Sequence, residues 1–594
     1  MTRREQKGAG IQGTDRRRDH LALYPPDRQR PWHSGKSPWP GTLGDGARHV
    51  KNVLVVSQRP RTPGTRRGRV AGPGGEAEQG PAERIGGARK NTPGGNRRNC
   101  VSIQQLCADP NESEEMRAQI PRFLLLNLVL LFPLRGQLEA QDRFDAWVGF
   151  EDKGISSPEA RTAAFQHLEE TFDQRALARR RLRRTLPGLF DEHDLPLHEP
   201  YVEGVTSTGA EVRVRSRWLN GVSVLATRET LMAVRELPFV TEVRDIHPYV
   251  PKSQRNGEIP GDPDLKRGPP SPPDPTFGWS GPQIRQLRLH RLHAMGLRGS
   301  GVRIGVIDTG FNSSHSAFLN RDHPLQVVAQ WDFVDNDSVA TPEPGDSPIH
   351  HEHGTLVLGI LAANSPGLLV GSAPEAEYVL LKAEDDATEY FLEERWFVAA
   401  LEFAESRGVD IVSSSLVLYE GYGPEAVDGR SSIMAQGWNL ATGNGIIGFQ
   451  GGGNSGHDED PTTHHLLPPA GAPGVITVGA VEGTGGIARF SSDGLKVGET
   501  QKPELLAWGR NTASISPYEE GAFTSSSGTS MATPLLAGAV ACVLQAHPDW
   551  TVKEIKEALF SSGDYFLERG EPDPLLIHGY GIPDVYLATG LGGE

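Results

Sequence analysis

Cysteine is scarce in this sequence: three occur among 594 residues. Cys100 and Cys107 lie near the beginning of the chain, so the long remainder holds a single thiol, Cys542. A disulfide framework is therefore excluded for that larger part. Cys542 falls on the apolar face of a predicted helix, which is typical of a small core residue and not of a nucleophile.

Basic residues are also fewer than acidic residues. The chain has 60 Lys and Arg against 75 Asp and Glu, and its formal net charge is -15. The deficit is uneven, because residues 1–115 are net positive and the rest of the chain is strongly acidic. An acidic body argues against a nucleic-acid partner. A length of 594 residues allows two or more domains and a large core.

One apolar run, Phe123–Pro133, is too short for a comfortable membrane span. It follows Met116 and the positively charged Arg122, and a small residue suited to cleavage, Ala140, comes after it. This pattern is typical of a secretory signal peptide, here over residues 116–140. We therefore expect a secreted protein, extracellular or periplasmic, without a stable membrane anchor.

Residues 1–115 are rich in Arg, Gly and Pro and have almost no apolar periodicity, which predicts disorder. A basic arm that binds nucleic acid is the alternative, but no aromatic residues are interleaved with the arginines. Because a signal peptide works from the amino terminus, we expect translation to start at Met116. The preceding leader is then a gene-model artefact.

Residues 141–250 predict a separate small α+β domain with four strands and two helices. The strand patterns are Ala146–Phe150, Val212–Ser216, Val222–Ala226 and Val240–Ile246; the helix patterns are Pro158–Leu186 and a helix capped by Thr227 that runs to Leu237. The first helix carries the basic run Arg179–Arg184. Such a run predicts a solvated helix face, and a site for a processing protease is the alternative.

The stretch 251–283 is rich in Pro, Gly and Asp and predicts an extended linker. An exposed linker is where a maturation cleavage would fall. The region 284–594 is then the second, larger domain. It begins with a helix pattern over Ile284–Leu297 that leads into the first strand of this domain.

From Gly301 onward, strand and helix patterns alternate. The predicted strands are Arg303–Asp308, Val327–Phe333, Glu377–Lys382, Asp410–Leu416, Ile446–Gln450 and Val475–Val481. The predicted helices follow His353, span Glu389–Arg407 and Ser431–Thr442, follow Ser530, and span Val552–Ser561. Such alternation indicates an α/β fold, with a mostly parallel sheet covered by helices on both faces.

A serine at the start of an apolar helix pattern is the candidate nucleophile. Ser530 lies in the small-residue run Gly528–Pro534. The first turn of a helix favours negative charge beside it, and we expect Pro534 to fall where the helix needs no N–H. A serine hydroxyl is a poor nucleophile alone, so it requires a base. A helix-capping serine is the alternative.

Candidates for the base and for an orienting carboxylate lie upstream. Asp308 ends the strand pattern Val302–Ile307, and open α/β sheets carry their sites at the carboxyl ends of strands. His353 opens a second apolar helix pattern, and the order Asp, His, Ser is one of three known for this chemistry. A metal site at His350 and His351 is the alternative, but its spacing is not that of a zinc-protease helix. Asp308 could also be a strand-end cap.

Three motifs carry a resemblance to a known family. They are Asp308-Thr309-Gly310, His353-Gly354-Thr355 and Gly528–Pro534. With them, the stretch Gly281–Ala588 resembles the subtilases, the subtilisin-like serine peptidases. The resemblance implies a secreted endopeptidase of subtilisin-like α/β fold that acts on proteins or peptides without a cofactor. The domain 141–250 resembles subtilase propeptides, which are removable and inhibit their own enzyme.

The resemblance also implies roles for residues outside the three motifs. Asn454 stands where the family has the asparagine of its oxyanion hole; a turn asparagine is the alternative. One segment resembles the strand that pairs with extended substrate, and another resembles a wall of the primary specificity pocket. These are Ser413, Ser414, Ser415 and Leu416, and Gly451, Gly452 and Gly453; buried core strands are the alternative.

Two further features leave alternatives open. Trp508 replaces the proline of the family's usual Ala-Pro-Gly, which puts the geometry of that loop in question. An acidic loop is either a structural calcium site, as in some relatives, or a solvated loop without metal. Its residues are Asp332, Asp335, Asn336 and Asp337.

Two rival functions remain beside the peptidase. One is an inactive subtilase fold used for binding, against which the complete set of site residues argues. The other is an acid peptidase of the sedolisin type, which uses a glutamate base. The motif His353-Gly354-Thr355 disfavours it.

Overall fold

The structure is a computed structural model that describes residues 143–248, 274–344, 346, 348–385, 393–418 and 424–592. The leader predicted over 1–115, the signal peptide predicted over 116–140, and Cys100 and Cys107 lie outside these residues. Most of the predicted linker lies outside them too. The described residues belong to one compact unit.

The N-terminal domain, residues 143–248, is an antiparallel sheet with helices. Its strands are β1 Arg143–Phe150, β2 Glu211–Ser216, β3 Gly221–Thr227 and β4 Val240–Pro248, and its helices are α1 Pro158–Thr171, α2 Gln174–Arg183, α3 Glu199–Ser207 and α4 Arg228–Arg235. The strand order is β2-β3-β1-β4, with β1 antiparallel to β3 and to β4. The α+β prediction for this domain is confirmed.

The helices of this domain differ in part from the prediction. The single helix predicted over Pro158–Leu186 is two, because Asp173 stops the first and caps the second: its carboxylate accepts from the N–H groups of Arg175 and Ala176, each at 2.9 Å. Helix α3 was not predicted. Thr227 caps α4 as predicted, with its hydroxyl accepting from Thr230 N at 3.2 Å.

The larger domain begins earlier than predicted. Residues 274–283 do not extend the linker but pack on this domain: Phe277 is buried, and Asp274 pairs with Arg285. The helix predicted over Ile284–Leu297 is divided into α5 Gly281–Gln286 and α6 Leu289–Ala294. Arg288, between them, has a positive φ of 57°, which ends the first helix.

Seven parallel strands form the main sheet, in the order β15-β12-β11-β10-β5-β9-β6. They are β5 Arg303–Asp308, β6 Gln326–Asp332, β9 Glu377–Lys382, β10 Ile411–Ser414, β11 Ile447–Gly451, β12 Ile476–Val481 and β15 Leu505–Trp508. Four two-residue strands form small pairs: β7 Asn364–Ser365 with β8 Leu369–Val370, and β13 Lys496–Val497 with β14 Thr500–Gln501. A hairpin joins β16 Thr512–Ile515 to β17 Phe523–Ser526. All six predicted strands are present; β15 and the hairpin were not predicted.

Helices cover both faces of the sheet, as predicted. They are α7 Glu352–Ala362, α8 Glu393–Ser406, α9 Ile433–Gly443, α10 Thr529–Ala546, α11 Val552–Ser561, α12 Asp564–Arg569 and α13 Val585–Ala588. Side chains alternate along β5, so Val306 packs in the cluster that contains α7 and α10, while Ile307 packs in the cluster that contains α8 and α9. Both clusters are fully buried, which explains the near-continuous apolar strands.

Trp508 does not disturb the loop that follows it. It ends the edge strand β15 in register with Val481. The next residue, Gly509, donates to Val481 O at 2.9 Å and accepts from Gly528 N at 2.8 Å. The loop after β15 is thus fixed to β12 and to the start of α10 by main-chain hydrogen bonds, which do not depend on a proline at position 508.

The N-terminal domain docks on α8. Val214 and Trp218 join the buried cluster of the larger domain. The Glu402 carboxylate accepts from the backbone N–H groups of Arg217 at 3.1 Å and Trp218 at 3.2 Å. The turn between β2 and β3 is thereby fixed to the helix by a charge-assisted contact.

The basic run on α2 is not a solvated face, and that prediction is wrong. Arg179, Arg180 and Arg183 are buried, whereas Arg181 is exposed. The buried guanidinium groups pair with carboxylates, which include Glu405 of the larger domain at 2.6 Å from Arg179. Burial of these side chains also removes the alternative of an accessible processing site in this state.

Within the described residues, one helix, α10, is long and apolar enough to cross a membrane, and 89% of it is buried inside the protein. It packs against the strands β10, β11, β12 and β15 and against α7. Its apolar character therefore belongs to the core of the domain.

The Cys542 thiol should be unreactive in the folded protein. It is fully buried on α10, with its sulfur 3.4 Å from Ser372 O, and burial raises its pKa well above the usual value. Because the thiolate is the reactive form, alkylation should need unfolding. Iodoacetamide labelling with peptide mapping, with and without guanidinium, checks this; rapid labelling of Cys542 in the native protein would contradict the core assignment.

Candidate functional site

The carboxyl end of β5 and the start of α7 bring Asp308 and His353 together. His353 Nδ1 lies 2.7 Å from Asp308 Oδ1, and Asp308 is completely buried. The same carboxylate oxygen accepts from the Thr309 N–H at 2.9 Å. The His353 side chain is 32% exposed, so the imidazole has one edge held in the protein and another open to solvent.

The residues around this pair explain their motifs. Gly354 has no room for a side chain, because a Cβ there would lie 2.2 Å from Gly310 O. The Gly354 N–H donates to Thr309 Oγ1 at 3.2 Å. The two motifs therefore contact each other directly, and glycine at both positions lets the strand end approach the helix start.

Ser530 lies in the first turn of α10, where it is half-buried. Pro534 lies beyond that first turn, contrary to our expectation, and its ring nitrogen cannot donate to Ser530 O. Ser415 supplies the missing donor: its Oγ lies 3.1 Å from Ser530 O. The carbonyl of the candidate nucleophile thus accepts from the segment after β10, where an ordinary helix would have residue 534 as its donor.

Asn454 has its side-chain amide oriented towards Ser530. Its Oδ1 accepts from the N–H of Thr529 at 2.9 Å and lies 3.2 Å from Thr529 Oγ1. This contact assigns the oxygen to Thr529 and leaves the NH₂ group on the other side. A methyl group on Gly528 would lie 2.7 Å from Ser530 Oγ and 3.4 Å from Asn454 Nδ2, so these two atoms border the same small space.

The predicted substrate-pairing segment needs correction for two of its residues. Ser413 and Ser414 belong to β10, which pairs with β5 on one side and β11 on the other. Both are buried, so neither has an open edge to offer a peptide. Ser415 and Leu416 follow the strand end and are the part of the segment that can still serve this purpose.

The glycines Gly451, Gly452 and Gly453 are buried in and after the end of β11. Gly452 donates to Val478 O at 3.1 Å, and Gly453 donates to Thr529 Oγ1 at 3.1 Å. Leu466 and Leu467 pack beside this run: a Cβ on Gly452 or Gly453 would lie 3.2 Å or 3.5 Å from them, respectively. Hydroxyl groups border the run as well, since a Cβ on Gly453 would lie 3.1 Å from Ser492 Oγ and one on Gly451 would lie 3.5 Å from Thr529 Oγ1.

The acidic loop contacts a lysine at the end of β9. Lys382 Nζ lies 2.8 Å from Asp332 Oδ2 and 4.0 Å from Asp335 Oδ2. Burial raises the pKa of Asp332 despite this ammonium group. Asp332 and Asp337 are joined by two main-chain hydrogen bonds, and Asn336 adopts a positive φ of 58° in the turn between them. The lysine supplies the positive charge that calcium would otherwise bring.

The histidines His350 and His351 are not assembled as a metal site with His353. His351 Nε2 lies 2.9 Å from Asp346 Oδ2, and burial lowers its pKa. In the part of the chain that the structure describes, the metal-ligand side chains that lie close enough to share an ion are instead Asp458, His465 and Asp493. No cofactor site was predicted from the sequence.

Two positioning residues were missed by the sequence analysis. Thr529 contacts both Asn454 and Gly453. Its role was missed although it lies within a recognised motif. Gln450 is buried, accepts from Trp438 Nε1 at 3.0 Å and donates to Leu416 O at 2.8 Å. A polar residue inside an apolar strand pattern was the available signal for Gln450.

Comparison with protein families matches both domains. A sequence model of the subtilase family matches residues 299–581. A second model, described as the peptidase S8 propeptide domain of Bacteroidota, matches residues 145–258. Among solved structures, the MycP3 protease from the type VII (ESX-3) secretion system aligns with 54% of this chain and 93% of its own, at 19% identity and a TM-score of 0.42.

Curated relatives match the larger domain. Subtilisin E of Bacillus subtilis (strain 168) is 32% identical over 286 residues, which are 48% of this chain and 65% of that protein. The major intracellular serine protease of the same strain is 29% identical over 279 residues, which are 46% of this chain and 78% of that protein. Subtilisin of Bacillus pumilus is 32% identical over 286 residues, with 90% of its length covered. The chain therefore belongs to the subtilase family and carries a subtilase propeptide domain.

Proposed function

We propose that this chain is the precursor of a secreted serine endopeptidase in which Asp308, His353 and Ser530 form the catalytic triad. The observation that supports this most is the 2.7 Å contact between His353 Nδ1 and a fully buried Asp308. The helices that carry His353 and Ser530 pack against each other. A buried carboxylate, a partly exposed imidazole and a serine at a helix start are the parts that acyl transfer needs.

Each triad residue has one role in the proposed reaction. Asp308 holds the Nδ1 proton of His353, and Nε2 takes the hydroxyl proton of Ser530 as Oγ attacks the substrate carbonyl. The imidazolium then donates that proton to the leaving amine, and an acyl-enzyme remains. Water repeats the two steps and releases the acid. No cofactor or metal takes part.

Negative charge on the attacked carbonyl oxygen requires donors that are already in place. We assign these to the Asn454 NH₂ group and to the backbone N–H of Ser530. The contact between Asn454 Oδ1 and Thr529 N supports this role, because it fixes the orientation of the amide before substrate arrives. The Ser530 N–H lies in the first helical turn, where no intrahelical acceptor is available.

Substrates are proteins or peptides bound in extended form. The main chain of Ser415 and Leu416 pairs with the peptide, and Gly451, Gly452 and Gly453 line the pocket for the residue before the cut. Main-chain pairing reads little sequence, so we expect broad specificity. The leucines beside the glycine run favour an apolar side chain in this pocket.

The N-terminal domain serves as an intramolecular inhibitor that is removed by cleavage within 251–273. Its docking on α8 through Glu402 supports this role, because the contact holds the domain without using the triad. The signal-like sequence Phe123–Pro133 supports export. Calcium is not required by the acidic loop, where Lys382 neutralises Asp332.

Substitution Ser530→Ala should abolish peptidase activity and leave the fold intact, because only a hydroxyl group is lost. We expect kcat to fall by a factor on the order of 10⁶, as when the nucleophile is removed from a subtilisin. The precursor should accumulate uncut. Casein hydrolysis and labelling by a fluorophosphonate probe measure both effects.

Ser527→Ala is the matched control, because Ser527 lies in the same segment and its Oγ accepts only from Asn511 N among the described residues. This variant should react with the probe as wild type does. An unlabelled wild-type chain would favour the inactive binding fold, and a Ser530→Ala variant that hydrolyses casein normally would refute the nucleophile assignment.

Substitution Asn454→Ala should lower kcat by roughly 10²–10³ with little change in KM, the loss found when one oxyanion donor is removed from a subtilisin. The physical reason is that the NH₂ group acts on charge that exists only in the transition state. Steady-state kinetics on a peptide substrate check this. An unchanged kcat would leave Asn454 as a turn residue.

Activity should decline towards acidic pH along a single titration, because only the neutral imidazole of His353 accepts the serine proton. The loss occurs on the acidic side, since protonation occupies the Nε2 lone pair. A profile of kcat/KM against pH measures it. A maximum at strongly acidic pH would instead support the carboxylate-based sedolisin mechanism.

A further inference from the structure

A helical insertion reaches from the N-terminal domain to a second part of the larger domain. It lies between β1 and α3 and contains α1 and α2. The segment Gln174–Leu186, the arginine arm, begins beside the turn that docks on Glu402, because both reach Glu405, and extends from there to parts of the larger domain that the turn does not reach. Its arginines face two ways: Arg179 is 1% exposed at its side chain, and Arg181 is 55% exposed.

Arg179 is held entirely by the larger domain. Its Nη1 donates to Val409 O at 2.6 Å, its Nε donates to Asn444 O at 3.3 Å, and its Nη2 lies 2.6 Å from Glu405 Oε1. These three contacts of the guanidinium all lie across the domain boundary. The acceptors belong to two segments that are distant in sequence.

Arg175 and Arg183 repeat this arrangement one turn away on either side. Arg175 donates to Gly408 O at 3.0 Å and Gly301 O at 2.6 Å, and it pairs with Asp410. Arg183 donates to Trp550 O and Pro548 O, each at 2.8 Å. Arg183 also lies 3.4 Å from Asp410.

The larger domain supplies buried negative charge to meet these arginines. Glu405 has a fully buried side chain and accepts from Arg179, Arg180 and Arg217. Burial alone would raise the pKa of Glu405, but the three guanidinium groups hold it below its usual value. Removal of one partner from such a buried network leaves charge uncompensated, so the loss of a single arginine should weaken the contact strongly.

The arm lies at the amino ends of the strands, whereas the candidate active site lies at their carboxyl ends. Its partners surround the starts of β5 and β10: Gly301 and Asp410 precede these strands. Asp308, at the other end of β5, lies about five residue steps along the strand, roughly 16 Å away. The arm therefore holds the larger domain without access to the triad.

Two open surface clefts border the arm. One, of about 280 Å³, lies beside Arg175, Arg183 and Gly301, and the other, of about 450 Å³, lies beside Leu186 and Lys556. Between these clefts, the guanidinium groups of the arm make the polar contacts to the larger domain that are described above.

We propose that the arginine arm is a second anchor that keeps the propeptide bound after the linker has been cut, and that its detachment determines when activity appears. This inference rests on the proposed function. Cleavage of one peptide bond in the linker leaves both anchors in place, namely the turn on Glu402 and the arm on Glu405 and Asp410. Release requires the guanidinium groups of four arginines to leave their carbonyl and carboxylate acceptors together, namely those of Arg175, Arg179, Arg180 and Arg183.

The test compares the full chain with a double variant, Arg179→Gln and Arg183→Gln, and with the control Arg181→Gln. Among the described residues, Arg181 pairs with the exposed Glu169 of α1 and with no group of the larger domain, so its loss should not change release. Gels follow linker cleavage, size-exclusion chromatography follows separation of the fragments, and a peptide substrate follows activity. We expect cleavage at the wild-type rate and separation at least tenfold faster in the double variant alone.

A second measurement does not require catalysis. In chains that also carry Ser530→Ala, amide hydrogen exchange should become at least tenfold faster in residues 443–445 and 548–550 of the double variant, but not of the control. If no chain is cut, the proposed function fails, and exchange still decides whether the arm is an anchor. Separation or exchange at the wild-type rate overturns the proposal.

If the double variant does not fold, Arg175→Gln replaces it, because the Arg175 side chain is 31% exposed and its partners outside the arm all lie in the larger domain. The same two measurements apply. Faster separation or exchange than in Arg181→Gln supports the anchor, and rates equal to that control overturn it.

Discussion

The contact between His353 and the buried Asp308 depends on the whole arrangement of the larger domain. A carboxylate without exposure to water is tolerated where charged or dipolar groups hold it. Here the imidazole and the Thr309 N–H do so, at 2.7 Å and 2.9 Å. For this, β5 must end in the interior of the sheet with β9 and β10 on its two sides. The start of α7 must also approach that end within the space left by Gly354.

The parallel sheet was predictable because its strands are buried on both faces. Apolar runs such as Arg303–Asp308 and Glu377–Lys382 carry that information locally, and their bounds agree with the structure. The edge strand β15 and the hairpin of β16 and β17 carry weaker signals, since prolines, glycines and polar residues surround them. The break at Asp173 depends on one capping side chain, which a long helical pattern conceals.

The site was predictable where motifs are local and uncertain where contacts are distant. Asp308, His353 and Ser530 each lie in a short motif that specifies its own turn. The misplacement of Ser413 and Ser414 arose because a sequence does not fix the residue at which a strand ends. The burial of Arg179 was hidden for another reason: its carboxylate partner, Glu405, lies 226 residues further along the chain. A run of arginines in the sequence shows where positive charge lies, but it does not show which distant residues will bury the side chains.

Pro534 gives the candidate nucleophile, Ser530, an unusual hydrogen-bonded connection to another part of the domain. In an ordinary helix the carbonyl of residue 530 would be tied to its own helix, and the serine would move only with that helix. The proline releases this carbonyl, and Ser415 Oγ binds it at 3.1 Å. Gln450 in turn holds the carbonyl of Leu416, the next residue. One hydrogen bond thus joins the candidate nucleophile to the segment that would align a peptide, and a second joins that segment to β11, so that a shift in either position is transmitted to the other.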